Sequence, residues 1–170
     1  MKNPPYEIVR AQAEDAAALL EYLKIIGGET DNLSFGPEGV PLDEKTERAY
    51  LTMQAESHDN IQLLAKVNGE IIGTASLNRK PNRMHHRAEF GISIAKEFWG
   101  LGIGQALTAA CIDCARKAGY AQLELDVVAD NASALALYKK FGFVEYGRNP
   151  KGFRSRNTGY QELVLMRLAL

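Results

Sequence analysis

Residues 97–119 read EFWGLGIGQALTAACIDCARKAG, with glycines at 100, 102 and 104 where the apolar stretch AEFGISI (88–94) gives way to a helical pattern. Glycines at every second position suit neither a strand nor a helix, because each loses extra backbone entropy on ordering. A strand that runs into such a turn and then into a helix presents backbone N–H groups at the positive end of the helix. That arrangement binds anions, phosphates above all, without a basic side chain. The missing Cβ atoms let an anion's oxygens approach the main chain. A plain structural turn could use the same glycines.

Outward from the turn, the chain alternates strand and helix patterns without a repeat. YEIVRA (6–11) reads as a first strand, and EDAAALLEYLKIIGG (14–28) as a helix that stops at the Gly27–Gly28 pair. Residues 27–42, rich in Gly, Pro and polar side chains, read as a loop. DEKTERAYLTMQAES (43–57) is a helix with acidic residues in its first turn, where the macrodipole favours them. IQLLAKV (61–67) and EIIGTASLN (70–78) flank Asn68-Gly69, a strong hairpin signal. After the glycine turn and its helix (102–118), AQLELDVV (121–128) is a strand. DNASALALYKKFGF (130–143) is a helix with Asp130, Asn131 and Ser133 available to cap it. FVEYGR (143–148) and YQELVLMRLAL (160–170) are the last strands, joined by a loop carrying Lys151, Arg154 and Arg156. Hairpins, one strand–helix–strand unit and a final hairpin predict a single α/β domain over 1–170, of the α+β type. Its sheet is mixed and mostly antiparallel, flanked by helices, with one crossover.

Two familiar phosphate loops fit the turn poorly. A P-loop needs Lys-Ser/Thr after its last glycine, and none follows. A Rossmann fingerprint fits Gly100 and Gly102, with Asp126 near the distance for its acidic residue, but Gln105 occupies the third glycine position. A dinucleotide-dependent oxidoreductase therefore stays open only as an alternative.

FWGLGIGQAL (98–107), with EFGISIAKE (89–97) before it and DNASALALYKKFGF after it, resembles the acyl-CoA-binding core of the GNAT superfamily of N-acetyltransferases. The first signature of that family, [Q/R]-x-x-G-x-[G/A], is matched from Trp99 to Gly104 in its glycines, and Trp99 replaces the Gln or Arg. The second is matched at Asn131, Ala134, Leu137, Tyr138, Lys140, Gly142 and Phe143. The resemblance follows the element order from about residue 6 to 169 and is most specific over 88–146. It implies a GNAT-like sheet in which two strands splay apart to hold acyl-CoA.

Residue by residue, it implies that the backbone from Gly100 through Leu101, Gly102, Ile103 and Gly104 to Gln105 cradles the CoA pyrophosphate. Ile92 and Ile94 would pair through their main chains with the pantetheine arm, and Asn131 would hydrogen-bond it. Lys140 would reach a phosphate, although a solvated lysine is an equal reading. Tyr138 is the expected general acid, a neutral phenol donating to the departing thiolate. The attacking amine must lose a proton, and the candidate bases are Glu89, the first choice, and Asp126. Strand alternation places Glu89 on the face opposite Ile92 and Ile94.

Net charge is −1, with 46% hydrophobic and 24% charged residues, which argues against a nucleic-acid partner. No apolar run is long enough to span a bilayer and no export signal is visible, so the expectation is a cytoplasmic protein without a membrane partner. Cys111 and Cys114 are spaced C-x-x-C but share an apolar helical stripe with Leu107, Ala110 and Ala118, which reads as packing, and no metal is expected. His85 and His86 sit in a basic turn that reads as solvated. Charges at 29–38 and 148–156 could together hold a zwitterion. The implied activity is transfer of acetyl from acetyl-CoA, by direct attack, to a small-molecule or peptide amine: a free amino acid, a peptide or protein N-terminus, or another small amine. A non-catalytic acyl-CoA sensor is the other alternative. Edge pairing or exchange of the last strand would make a homodimer.

Overall fold

Asn68 and Gly69 adopt φ of 49° and 84°, the left-handed pair that a two-residue hairpin turn requires. In this computed structural model, which describes residues 4–170, they join β2 (Ile61–Val67) to β3 (Glu70–Arg79). β1 (Glu7–Arg10) adds to β2, and β4 (Arg87–Ile94) adds to β3, all antiparallel. The helix α3 (Ile103–Lys117) then crosses over to β5 (Gln122–Val128), parallel to β4. The final hairpin places β7 (Gly159–Ala169) against β5 and β6 (Val144–Ser155) outermost. The seven strands run β1-β2-β3-β4-β5-β7-β6, with one parallel pair, as the element order predicts.

Alternation along each strand gives the sheet two apolar faces. On one side Phe90, Leu123 and Met166 meet α3, through Leu107 and Cys111, and α4 (Ala132–Lys140), through Tyr138. On the other, Leu64 meets Leu19, Tyr22 and Ile26 of α1 (Ala16–Glu29) and Leu51 of α2 (Glu44–Glu56). The β3–β4 ladder runs without a register shift from Gly73↔Ile94 to Arg79↔Ala88. Glu89, Gly91 and Ser93 therefore face the α1–α2 side, and Phe90, Ile92 and Ile94 the α3–α4 side.

Two boundaries differ from the sequence reading. α1 does not stop at Gly27–Gly28 but continues to Glu29. A Cβ on Gly27 would stand 2.0 Å from the Gly36 carbonyl oxygen, so this glycine admits the following loop against the helix rather than ending it. The basic loop after Arg148 is mostly strand: β6 extends to Ser155 and pairs with β7 through two irregularities, one of them between Asn149 and Phe153. Pro150 falls in that gap on an edge strand, where a missing N–H is tolerated. Asn149, Pro150 and Gly152 mimic a turn in sequence, whereas the actual turn is the short tip between Ser155 and Gly159.

Candidate active site

β4 and β5 pair only from Arg87↔Gln122 to Glu89↔Glu124 and then separate. From Phe90 and Leu125 onward each strand keeps its outer partner, β3 or β7, but loses the inner one. The split leaves a cleft of about 1130 Å³ lined from both faces of the sheet. On the α3–α4 side lie Ile92, Ile94, Gly100, Gly102, Ile103, Gly104 and Gln105, with Asn131, Leu137, Tyr138 and Lys140. On the α1–α2 side lie Thr74, Ser76, Asn78, Glu89, Glu47 and Tyr50, and Asp126 stands on the β5 wall. Of the residues expected from sequence at the site, all but Leu101 line this one cleft.

The glycine turn leads directly into α3. Gly100 and Gly102 have φ of 76° and 79°, in the left-handed region that glycine adopts without strain. A Cβ at either would meet nothing within 4 Å, so their backbone conformation, not crowding, accounts for the glycines. Gly102 is the N-cap of α3 and supplies no side chain to cap it, which leaves the first N–H groups of the helix for a ligand. Lys140 Nζ donates to Gln105 Oε1 at 2.7 Å, bringing a positive charge to that end of α3. The turn therefore fits a pyrophosphate in both backbone form and charge.

Asn131 caps α4, its Oδ1 accepting from the Ala134 N–H at 3.2 Å. Trp99, at the position where the family signature has Gln or Arg, donates its indole N–H to the Ile94 carbonyl at 2.8 Å. One main-chain acceptor on the expected pantetheine edge is thus engaged by a side chain of the turn. Only the departure of Trp99 from the signature marked it in sequence.

Tyr138 is buried, its ring standing edge-on to Phe90 at 6.2 Å and tilted on Phe143 at 5.8 Å. Its hydroxyl has no hydrogen-bond partner among the described residues, and burial pushes the phenol up to about 12. Glu89 is largely exposed and paired with Lys80 at 2.9 Å. Asp126 makes no ion pair among the described residues, and its carboxyl is raised first by burial and then by the charge of Glu89. Glu124, beneath them, is pushed up by burial but held below the ordinary carboxylate range by bonds from Arg87 and Gln122.

Glu47, Tyr50, Thr74, Ser76 and Asn78 were not picked out by the sequence reading. Glu47 falls on the buried stripe of α2 with Leu51 and Gln54, so an acid on an otherwise inward-facing stripe was the available signal. Tyr50 donates to Asn78 Oδ1 at 3.2 Å, and Asn78 lies opposite Glu89 in the ladder. Part of the charge expected to hold a zwitterion across the two loops is paired internally, while Lys151 and Arg154 stand over the Tyr160 ring. Ser155 and Arg156 hold Asp31, Arg156 also reaches the Gly27 carbonyl, and Arg148 spans Glu145 and Glu162. His85 and His86 lie in the exposed β3–β4 turn, at the end of β4 away from the glycines. Cys111 is buried in the α3 stripe, which pushes its thiol up and keeps it protonated.

A profile of the acetyltransferase (GNAT) family matches residues 29–143. The chain belongs to the GNAT acetyltransferase family. Among curated proteins it is 33% identical over 108 residues to the L-amino acid N-acetyltransferase AaaT of Escherichia coli (strain K12). That match covers 62% of this chain and 65% of the relative. Among solved structures, a GNAT-family acetyltransferase from Streptococcus pneumoniae superposes with a TM-score of 0.94 at 30% identity, covering 98% of this chain and all of that one. The yncA protein of Salmonella typhimurium, solved with its cofactor acetyl-CoA, shares the fold with a TM-score of 0.82 at 23% identity, over 99% of this GNAT chain and 95% of its own.

Proposed function

We propose that this GNAT protein transfers acetyl from acetyl-CoA to a primary amine by direct attack. The observation that carries the proposal is the single cleft through the split sheet, with an anion cradle on one face and carboxylates on the other. Acetyl-CoA would supply an activated thioester. Backbone N–H groups at the start of α3 would hold its pyrophosphate, and the open edge of β4 would run beside its arm. Asp126 takes the proton that the acceptor ammonium must lose, directly or through water; Glu89, held by Lys80, is the less available carboxylate. The neutral amine nitrogen forms a bond to the acetyl carbon, the carbon–sulfur bond breaks, and the Tyr138 hydroxyl donates its proton to the leaving sulfur. A hydroxyl with no partner among the described residues is free to do so. The buried Cys111 takes no part.

AaaT is named for L-amino acids, which makes a free amino acid one acceptor to test. The deciding experiment is acetyl-CoA-dependent thiol release, read with a thiol dye, across amino acids, peptides, diamines and antibiotics. A saturable signal for one amine class supports the transferase. Silence across the panel with acetyl-CoA bound by the protein would favour an acyl-CoA sensor.

A further inference from the structure

On the α1–α2 side, the cleft wall carries Glu47, Glu89 and Asp126, and Lys80 pairs with Glu89. Glu47 is 5% exposed, lines the cleft, and makes no side-chain hydrogen bond or ion pair among the described residues. A buried carboxylate is ordinarily paired, because an unpaired charge is expensive to hold away from water. Asp126 and Glu89 stand on the same side of the sheet, and the sole basic side chain among the described cleft residues is Lys140, at the glycine turn. Arg156 is paired with Asp31, Arg148 with two glutamates and Arg87 with Glu124, while Lys151 and Arg154 lie over the Tyr160 ring and do not line the cleft. A carboxylate on the acceptor would find no cation among the described cleft-lining residues on this side. The apolar side chains of Leu33, Phe35, Phe153 and Leu163 line the same cleft, a surface suited to methylene groups.

Resting on the transferase reading above, we infer that the acceptor is an aliphatic diamine or polyamine whose far ammonium is held by Glu47 while its near amine reacts beside Asp126. Glu47 is then a specificity-determining residue: it binds the substrate's second charge and leaves proton transfer to Asp126. A zwitterionic amino acid would bring a carboxylate into the same acidic wall, where like charges repel.

Three probes of equal length isolate the distal group: 1,5-diaminopentane, 1-pentylamine and 5-aminopentanoate. The full chain should show kcat/KM at least about tenfold higher for the diamine than for the monoamine, a tenfold ratio being about 1.4 kcal/mol. The aminopentanoate should be poorest. In Glu47→Gln the diamine-to-monoamine ratio should fall toward one, chiefly through KM, and Glu47→Asp should recover part of it. A ratio near one in the parent protein, a ratio unmoved by Glu47→Gln, or preference for the aminopentanoate would each overturn the inference and leave the transferase reading standing. If no probe is turned over, calorimetry of the three amines on the CoA-saturated protein decides. Diamine-selective binding that disappears in Glu47→Gln keeps the subsite and sinks the transferase, and absence of selective binding sinks the subsite.

Discussion

Replacing Tyr138 with phenylalanine should separate chemistry from folding at this site. The ring's contacts, edge-on to Phe90 at 6.2 Å and tilted on Phe143 at 5.8 Å, survive the change. The hydroxyl that is lost has no partner among the described residues, so none of the roughly 0.5–1.5 kcal/mol of an ordinary hydrogen bond is forfeited. Stability should therefore stay within about 0.5 kcal/mol of the parent, a shift in thermal midpoint of roughly 2 °C or less for a chain of this size. The rate should behave otherwise, because a positioned general acid contributes about 10²–10⁴-fold. Thiol release at saturating acetyl-CoA should show that loss in kcat, with little change in the KM of either substrate. Burial raises the phenol from 10.0 to about 12, so the native state keeps a proton that the unfolded chain begins to release near the lower value. That contribution to stability is complete below 10.0 and is lost as pH rises through about 12. The donor consequently stays protonated across the physiological range. Full turnover in the phenylalanine variant would remove Tyr138 from the mechanism, and a midpoint several degrees lower would mean that the hydroxyl has a structural partner.

Gly102→Ala places a side chain at φ 79°, a strain of about 1–2 kcal/mol. The thermal midpoint should drop by roughly 2–8 °C, and acetyl-CoA affinity by calorimetry should weaken; unchanged affinity would detach the turn from the cofactor. The acidic limb of kcat/KM should lie above the ordinary aspartate range, since burial and then Glu89 raise Asp126. Glu89→Gln should move that limb down and Lys80→Ala should move it up, because Lys80 lowers the same group. A limb that vanishes in Glu89→Gln and persists in Asp126→Asn would make Glu89 the base. Asp31 is held below its usual range first by the Ser155 hydroxyl and also by Arg156, so the stability it adds is present above the ordinary carboxylate value and lost as pH falls through its own. Asp31→Asn should speed amide exchange at residues 155–158 at neutral pH, and unchanged exchange would show that this contact does not order the tip.

What could be read in the chain beforehand follows from the range of the interactions. Asn68-Gly69, the glycine turn and the Asn131 cap are local: a φ value or a neighbouring N–H decides them, and each appears as expected. The role of Gly27 is not legible locally because its cause lies nine residues away, in a loop whose carbonyl needs the space a Cβ would fill. The extent of β6 is hidden for a related reason, since Asn149, Pro150 and Gly152 resemble a turn until pairing with β7 absorbs them. At the site, the α3–α4 half was carried by two contiguous motifs. The α1–α2 half comes from α2, β3 and β4, which are separated along the chain, and only the packing of helix on sheet brings Glu47, Tyr50 and Asn78 together.

The same separation has a consequence for binding order in the pocket. The split between β4 and β5 joins two faces of opposite electrostatic character: helix N–H groups and Lys140 on one, Glu47, Glu89 and Asp126 on the other. An anionic donor and a cationic acceptor are each drawn to the face that suits them, and each would be repelled from the other's. In the proposed reaction the reacting atoms would meet where both faces open into the split, beside Tyr138. Because the ladder ends at Glu89↔Glu124, that meeting point is set by backbone pairing and not by any mobile side chain. Substitutions in the acceptor wall should therefore change which amine is used without displacing the thioester, whereas one that extended the β4–β5 ladder would close the site to both substrates.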